Sequence, residues 1–431
     1  MQTKFPLSQI NDPNIKDAND ILRSCVHCGF CNSSCPTYLL MGDELDGPRG
    51  RIYLIKEMLE NDRPASPVDV KHLDRCLGCL SCMTACPSGV NYMHLMEYGR
   101  RHIEQTYRRS FFERLVRNFL GVVLPNPKIF KFMLGLAVIF RGFKKFLPRN
   151  LRKTAHYVSN LKIQGKVVTP NRYMPISKHK YRVGMLTGCV QSQLNPEINK
   201  ATIRLLNRHG CEVIVIEDVE CCGALNLHLG QKAKAFKHIK SNVDAWCNEA
   251  ERSKLDAIIV NTSGCGTTVK DYGHLLRDDE KYSQKAKNIS LLSVDIIEFI
   301  SRIGLRGTSI EEKLTVAYQA PCSLQHGQLI RDEPLELLKA CGFEVVVPNH
   351  EDLCCGAAGT YHILQGKLSE ELQTKKIKSL VECSPDIIAT GNVGCMMQLK
   401  TSETNILSFP VVHTVELLDW GTGGPKPPSM N

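Results

Sequence analysis

The sequence predicts a mixed α+β/α/β multidomain protein: a small α-helical module over residues 1–99, then two repeated parallel α/β domains over 181–305 and 306–420. Three observations carry this reading. Two cysteine runs organise the N-terminal part, Cys25-Val-His-Cys28-Gly-Phe-Cys31-Asn-Ser-Ser-Cys35-Pro36 and Cys76-Leu-Gly-Cys79-Leu-Ser-Cys82-Met-Thr-Ala-Cys86-Pro87. From Tyr181 onward the chain repeats itself. Cys189, Cys221-Cys222-Gly223 and Cys265 recur as Cys322, Cys354-Cys355-Gly356 and Cys395, at offsets of 133, 133 and 130 (322−189, 354−221, 395−265). The third observation is what lies between. Residues 100–180 form a connector, and Arg100 to Lys153 alone carries fourteen Lys/Arg against two Glu, a net +12 where the whole chain has +10.

Each N-terminal run reads C-x2-C-x2-C-x3-C-P, the spacing that holds a cubane cluster in two-cluster ferredoxins. Three thiolates two residues apart wrap one face of a cube, because the loop turns tightly. The fourth cysteine, followed by proline, leaves the loop and reaches the other cluster. This assigns one [4Fe–4S] cluster to Cys25, Cys28, Cys31 and Cys86, and a second to Cys76, Cys79, Cys82 and Cys35. Zinc sites pair two C-x2-C elements or mix Cys with His, and make no use of a third in-phase cysteine followed by Cys-Pro. Forty residues separate Cys35 from Cys76 (positions 36–75), too many for a compact β-rich ferredoxin. The module is therefore an α-helical ferredoxin.

Within that module a helix from Asp17 to Ser24 delivers Cys25, and a second begins at Pro48, with Asp46 as its expected N-cap and Ile52, Ile55 and Leu59 as an apolar stripe. Arg49 and Arg51 flank that helix start, where charges either stay solvated or grip a carboxylate. Pro125 and Pro127 break the connector into two amphipathic helices. Their basic and apolar faces have two readings: peripheral attachment to the inner face of an anionic cytoplasmic membrane, with Phe130, Phe140, Phe143 and Phe146 inserting, or packing against the ferredoxin module. Residues 154–180 read as a linker and 421–431, rich in Gly and Pro, as a disordered tail.

In both repeats every cysteine of interest follows a β-branched run or its loop. Ligands of open α/β sheets collect beyond the carboxyl ends of strands, so Cys189, Cys221, Cys222 and Cys265 should converge on one point, and Cys322, Cys354, Cys355 and Cys395 on another. Neighbouring cysteines such as Cys221 and Cys222 diverge in regular structure, which favours metal, cluster or redox chemistry over core packing. Cys211, Cys247, Cys341 and Cys383 sit at non-equivalent places and need no such role.

Two ferredoxin motifs followed by two cysteine-rich CCG domains resemble the iron–sulfur subunits of flavin-linked dehydrogenases and the heterodisulfide-reductase-like proteins. In Cys-Val-His-Cys-Gly-Phe-Cys, Gly-Asp-Glu-Leu-Asp-Gly-Pro-Arg-Gly-Arg-Ile-Tyr-Leu-Ile-Lys, Thr-Ser-Gly-Cys-Gly and Cys-Cys-Gly-Ala-Ala-Gly-Thr-Tyr the chain is similar to the glycolate oxidase (glycolate dehydrogenase) iron–sulfur subunits. The resemblance implies a subunit of an oxidoreductase that takes electrons from FAD-binding partner subunits oxidising glycolate to glyoxylate, and passes them to a quinone or similar acceptor. One departure stands out. The final C-x2-C of heterodisulfide-reductase-type domains is here Cys265-Gly-Thr-Thr268 and Cys395-Met-Met-Gln398, leaving four thiols per repeat. A four-thiolate iron–sulfur or zinc site, or a vestigial one, stays open. So do a glycerol 3-phosphate or lactate donor, and thiol–disulfide catalysis at the CCG cysteines.

Composition narrows the field. The N-terminus has no apolar signal region, and C-x2-C groups in such a chain point to a reducing cytoplasm. No apolar run approaches the roughly 18 residues of a spanning helix. Outside Arg100–Lys153, 40 basic face 42 acidic residues, so the charge does not indicate nucleic acid. With no flavin or nicotinamide motif and no assignable catalytic residue, the chain reads as a wire rather than the place of substrate chemistry. Cross-ligation is directly testable: Cys35→Ser should perturb the electron paramagnetic resonance signal of the cluster on the Cys76 run, and Cys86→Ser that of the Cys25 run. Each substitution disturbing only its own run's cluster would refute the assignment.

Overall fold

A computed structural model describes residues 1–139, 166–307, 310–401 and 409–430. The connector residues Phe140, Arg141, Phe143, Lys144, Lys145 and Phe146 lie outside the described residues.

The N-terminal module is built from helices, chiefly Pro13–Ser24, Pro48–Glu60, Pro67–Asp74 and Tyr92–Thr106. Local sequence sets their starts. Asp12 accepts from Asn14 N, Ser66 and Asp69 form a capping box, Asn91 accepts from His94 N, and Pro13, Pro48 and Pro67 occupy first turns. Leu22, Ile55, Met58, Leu73, Leu95 and Ile103 pack into one apolar core. One expected cap is corrected: Gly47, not Asp46, precedes Pro48–Glu60. Asp46 turns inward instead, because buried cations compete for its carboxylate.

The repeats form two sheets. Strands β1 (Asn171–Tyr173), β2 (Tyr181–Leu186), β3 (Cys211–Val215), β4 (Ala257–Val260) and β5 (Ser293–Asp295) are ordered β1-β3-β2-β4-β5. Strands β6 (Thr315–Tyr318), β7 (Glu344–Val346), β8 (Ile387–Thr390) and β9 (Val411–His413) are ordered β7-β6-β8-β9. Omitting β1, the two orders are the same and every pairing is parallel. β1 is the exception, antiparallel to β3. It comes from the stretch expected as linker, where Arg172 is drawn to Glu212 and Glu249. Buried residues of both sheets, from Val183 and Val213 to Val316 and Val412, share one core.

The connector breaks by 116° between Phe111–Val123 and a second helix that begins at Pro127. Its inner face is packed. Val123, Phe130 and Leu134 meet Leu194, and Arg109 and Arg117 bind Asp74 at 2.6 and 2.7 Å. Its outer face is apolar too: Phe112, Leu115, Phe119 and Val122 form a helical stripe in solvent, continued by Ile129 and Phe132.

The tail, expected as disordered, is ordered through Met430. Gly424 N donates to Asp419 O, Lys426 lies over the Trp420 ring at 5.3 Å, and Pro428–Met430 makes a 3-10 turn. Prolines lower the entropy cost of this docking. Asp419 also ties the repeats together, since Arg204 and Arg208 from the first reach its buried carboxylate in the second. Asp419→Ala should therefore cost about 3 kcal/mol by stranding two partly buried guanidiniums, read as a lower midpoint in urea unfolding; an unchanged midpoint would show the strap contributes nothing.

Candidate functional site

Each cysteine run folds as a loop with two left-handed residues. They are His27 (φ 60°) and Gly29 (φ 85°) in the first, Gly78 (φ 64°) and Leu80 (φ 64°) in the second. These are equivalent positions, two and four residues after the leading cysteine. A leucine rarely adopts this conformation, so the surrounding structure imposes it at Leu80. Turns of this kind make anion-binding concavities.

The loops gather the cysteines across the runs. Cys25, Cys28, Cys31 and Cys86 line one small cavity, and Cys82 of the second run lines it too. Cys35 stands near Cys79 and Cys82 instead. Burial, with Cys25 and Cys86 beside it, pushes the Cys31 thiol up to about 11; burial likewise raises Cys79 and Cys82. Thiols so crowded cannot all ionise without a shared polycation. The donor set fits an iron–sulfur cluster.

Asp46 and Arg51 fix the second set. Asp46 is fully buried and binds His72 Nδ1 at 2.9 Å, Arg75 Nη1 at 2.7 Å and Arg51 Nη2 at 3.6 Å. Arg51 donates to His72 O at 2.8 Å and Thr37 Oγ1 at 2.9 Å, and its Nη1 lies 3.9 Å from Cys35 Sγ. Although burial opposes ionisation of Cys76, Arg51 and Arg100 outweigh it and hold this thiol below the usual range. Arg51 is thus structural and internal, not a grip for an external carboxylate. Arg49 pairs with Glu44 at 2.6 Å and lies over Gly29 of the first loop.

The thiols of each repeat form a chain. Cys189 Sγ lies 3.5 Å from Cys221 Sγ, Cys221 adjoins Cys222, and Cys222 adjoins Cys265. Cys322, Cys354, Cys355 and Cys395 follow the same succession. Donation to Cys221, and then burial, hold the Cys189 thiol up; Cys354 and burial do the same to Cys322. The two sets are not remote points. All eight cysteines line a single open cavity of about 1400 Å³ between the repeats. The ferredoxin module closes on one side of it: Cys79 packs with Cys354, Cys322, Leu77 and Tyr361.

Sequence patterns gave no sign of two further histidines, His228 and His362, which line the same cavity. Each follows its Cys-Cys-Gly turn by a few residues, a spacing that the repeat alignment contains. The burial of Lys376, at the back of the second set, had no signal at all.

The 4Fe-4S dicluster domain profile matches residues 21–90, and the cysteine-rich domain profile matches 183–270 and 316–400. The glycolate oxidase iron-sulfur subunit of Escherichia coli (strain K12) is 38% identical over 419 residues, 97% of this chain and 98% of its own. The chain belongs to the glycolate oxidase iron–sulfur subunit family. The probable glycolate oxidase iron-sulfur subunit of Bacillus subtilis (strain 168) is similar over 97% of this chain and 98% of its own, at 31% identity. Lactate utilization protein A of the same organism covers less, 55% of this chain and 99% of its own, at 26% identity. Family membership agrees with the predicted architecture of a helical 4Fe-4S region followed by two parallel α/β cysteine-rich domains.

Proposed function

We propose that the chain is the electron-transfer subunit of a flavin-linked complex that oxidises glycolate to glyoxylate and delivers electrons to a quinone or similar acceptor. Cys25, Cys28, Cys31 and Cys86 hold one [4Fe–4S] cluster, and Cys76, Cys79, Cys82 and Cys35 a second. Such clusters supply one-electron carriage, while a flavin on a partner splits the two-electron oxidation.

The observation that carries this reading is the order of the thiol sets in space. The first set opens to solvent at Cys28, and the apolar side chains beside it, Val26 and Phe30, are 66% and 65% exposed. That is the face a donor subunit can approach. The second set is buried. Its Cys79 packs on Cys322 and Cys354 at the cavity between the repeats. Along this line Arg49 supports the first loop, and Arg51 with Arg100 offsets negative charge at Cys76. The chain's residues therefore hold and insulate carriers between an exposed entry and a roomy exit.

The cluster-loaded chain alone should reduce no dye with glycolate, and activity should appear on adding flavin-bearing subunits. Turnover by the pure chain without flavin would overturn the reading, and activity with lactate or glycerol 3-phosphate in place of glycolate would reassign the donor.

The complex also attaches peripherally to an anionic membrane through the connector. No single helix among the described residues is long and apolar enough to cross one. The contact differs from the expected one: Phe130 is packed against Leu194, so the inserting side chains are Phe112, Leu115, Phe119, Val122 and Phe132. Exposed Arg108, Arg114, Lys128 and Lys131 accompany them. Basic residues near anionic lipid contribute about 1 kcal/mol each. The complex should co-sediment with anionic vesicles at low salt, and lose most of that binding when Phe112 and Phe119 become Ser or when Lys128 and Lys131 become Gln. A wild-type complex that stays in the supernatant at low salt would remove the membrane role.

A further inference from the structure

The duplicated domains can be compared position by position, and one buried position breaks their symmetry. Behind each Cys-Cys-Gly turn runs a long helix, Lys232–Arg252 in the first repeat and Gly366–Val381 in the second. Gly223 backs onto Ala235 and Ile239, and Gly356 onto Ser369 and Leu372. Matching Ala235 with Ser369 gives an offset of 134 (369−235), and the same offset pairs Asn242 with Lys376. Both side chains are fully buried. Both reach the segment around the paired cysteines. Asn242 accepts from Glu220 N at 2.6 Å and donates to Cys221 O at 2.9 Å. Lys376 Nζ donates to Glu351 O at 2.9 Å and lies 3.5 Å from His350 O. An amide side chain in one repeat is a lysine in the other.

A fully buried ammonium is costly unless an anion meets it. Among the described residues no carboxylate forms an ion pair with Lys376; its hydrogen-bond partners are two carbonyls. The ionisable groups nearest it in effect are Cys355, Cys354 and Cys395, ahead of Glu351. Burial works against the charged form of Lys376, and three of the four thiols of the second set favour it. At the first set the corresponding groups are neutral. Asn242 and Tyr272 bond the backbone of Cys221 and Cys222.

We infer that the second cysteine set, and not the first, is built to hold a net-anionic iron–sulfur cluster, with Lys376 as its buried counter-charge. A cubane on four thiolates carries net negative charge, and nearby charge and burial set its stability and potential. Lys376 touches neither donor nor acceptor, so it is a positioning residue: it makes the site tolerant of an anion. Position agrees with charge. Cys322 and Cys354 of this set share an apolar cluster with Cys79, whereas the first set has no cysteine of the ferredoxin module in its apolar cluster. The inference rests on the proposed function for the identity of Cys79's cluster, but its test does not.

The test is anaerobic purification of the full chain and four variants, Cys189→Ser, Cys322→Ser, Lys376→Asn and Lys376→Arg, with iron and acid-labile sulfide counted and reduced samples examined by electron paramagnetic resonance. Cys322→Ser should lose one cluster's iron and sulfide, and Cys189→Ser none. Lys376→Asn should lose the same cluster or move its midpoint to a more negative potential, with the two N-terminal signals unchanged, and Lys376→Arg should restore it. Equal loss from Cys189→Ser and Cys322→Ser, or no loss from either, would overturn the inference. So would wild-type iron and potentials in Lys376→Asn. If the two N-terminal signals are missing from the wild type, the proposed function fails, while the contrast between Cys189→Ser and Cys322→Ser still decides this inference. Thermal melts of all four variants separate a folding defect from a cluster defect, and if Lys376→Asn fails to fold, the two cysteine variants decide between the outcomes.

Discussion

The buried carboxylate of Asp46 is the point on which the N-terminal half depends. It lies where the chain leaves the first cysteine run, and its three cationic or titratable partners, Arg51, His72 and Arg75, come from the helix that follows and from the approach to the second run. The contact therefore clamps Cys35 to the neighbourhood of Cys76. A buried ion pair is weak evidence of net stability, but removing one partner strands the others and is strongly destabilising. Specific placement is the better account of its presence. Arg51 adds to the same clamp by donating to His72 O and Thr37 Oγ1, so the exit of one loop is held beside the entry of the other.

Charge compensation recurs along the chain, graded by burial. Arg49, one third exposed, serves the loop that opens to solvent. Arg51, 1% exposed, serves the set inside the module. Lys376 stands fully buried behind the second repeat's thiols. Each cation sits where screening by water falls, which is where an uncompensated thiolate would be least tolerable. Burial first, and neighbouring thiols after it, raise Cys79 and Cys82, whereas Cys76, in contact with this cationic system, is lowered. The same physics explains why neighbouring cysteines within one apolar interior have unlike tendencies to ionise.

Much of this was legible in the sequence because spacing and chemistry coincide there. Cys86 beside the first run, and the duplicated strand–cysteine units, follow from patterns with a short physical rationale. The rest was hidden by tertiary context. Asp46 has the residue type and position of an N-cap, yet Arg51 and His72 outcompete the helix end for its carboxylate. Phe130 and Phe132 look alike in an alternating basic and apolar stretch, but the bend at Pro125 and Pro127 buries the first and exposes the second. The Gly- and Pro-rich tail reads as disordered by composition; Trp420 and Asp419 give it a surface to dock on. Lys376 appears in sequence as one more charge on a polar helix. Only its depth, and the thiols beside it, give it meaning.

The repeats' common topology accounts for the single cavity. In each sheet the first strand of the repeat pairs with the second on one side and the third on the other, so a crevice opens beyond its carboxyl end. The three cysteine-bearing loops of each repeat all leave from that end. Two such domains could face away from each other and present two separate clefts. Here the loop after β4 meets the start of the second repeat's first loop, with Ser263 Oγ 2.7 Å from Ser323 Oγ and Thr267 Oγ1 donating to Ser323 O at 2.9 Å. Asn392, at the corresponding place after β8, donates back to Ser263 at 2.9 Å. These contacts join the carboxyl ends of the two sheets, so both crevices open into one space. The ferredoxin module then reaches that space from the second repeat's side, through Thr84 on His326 at 2.8 Å and Tyr361 on Arg75 O at 3.1 Å. The two repeats are thereby unlike: one set of thiols lies next to the ferredoxin module's Cys79 and the other across the cavity from it.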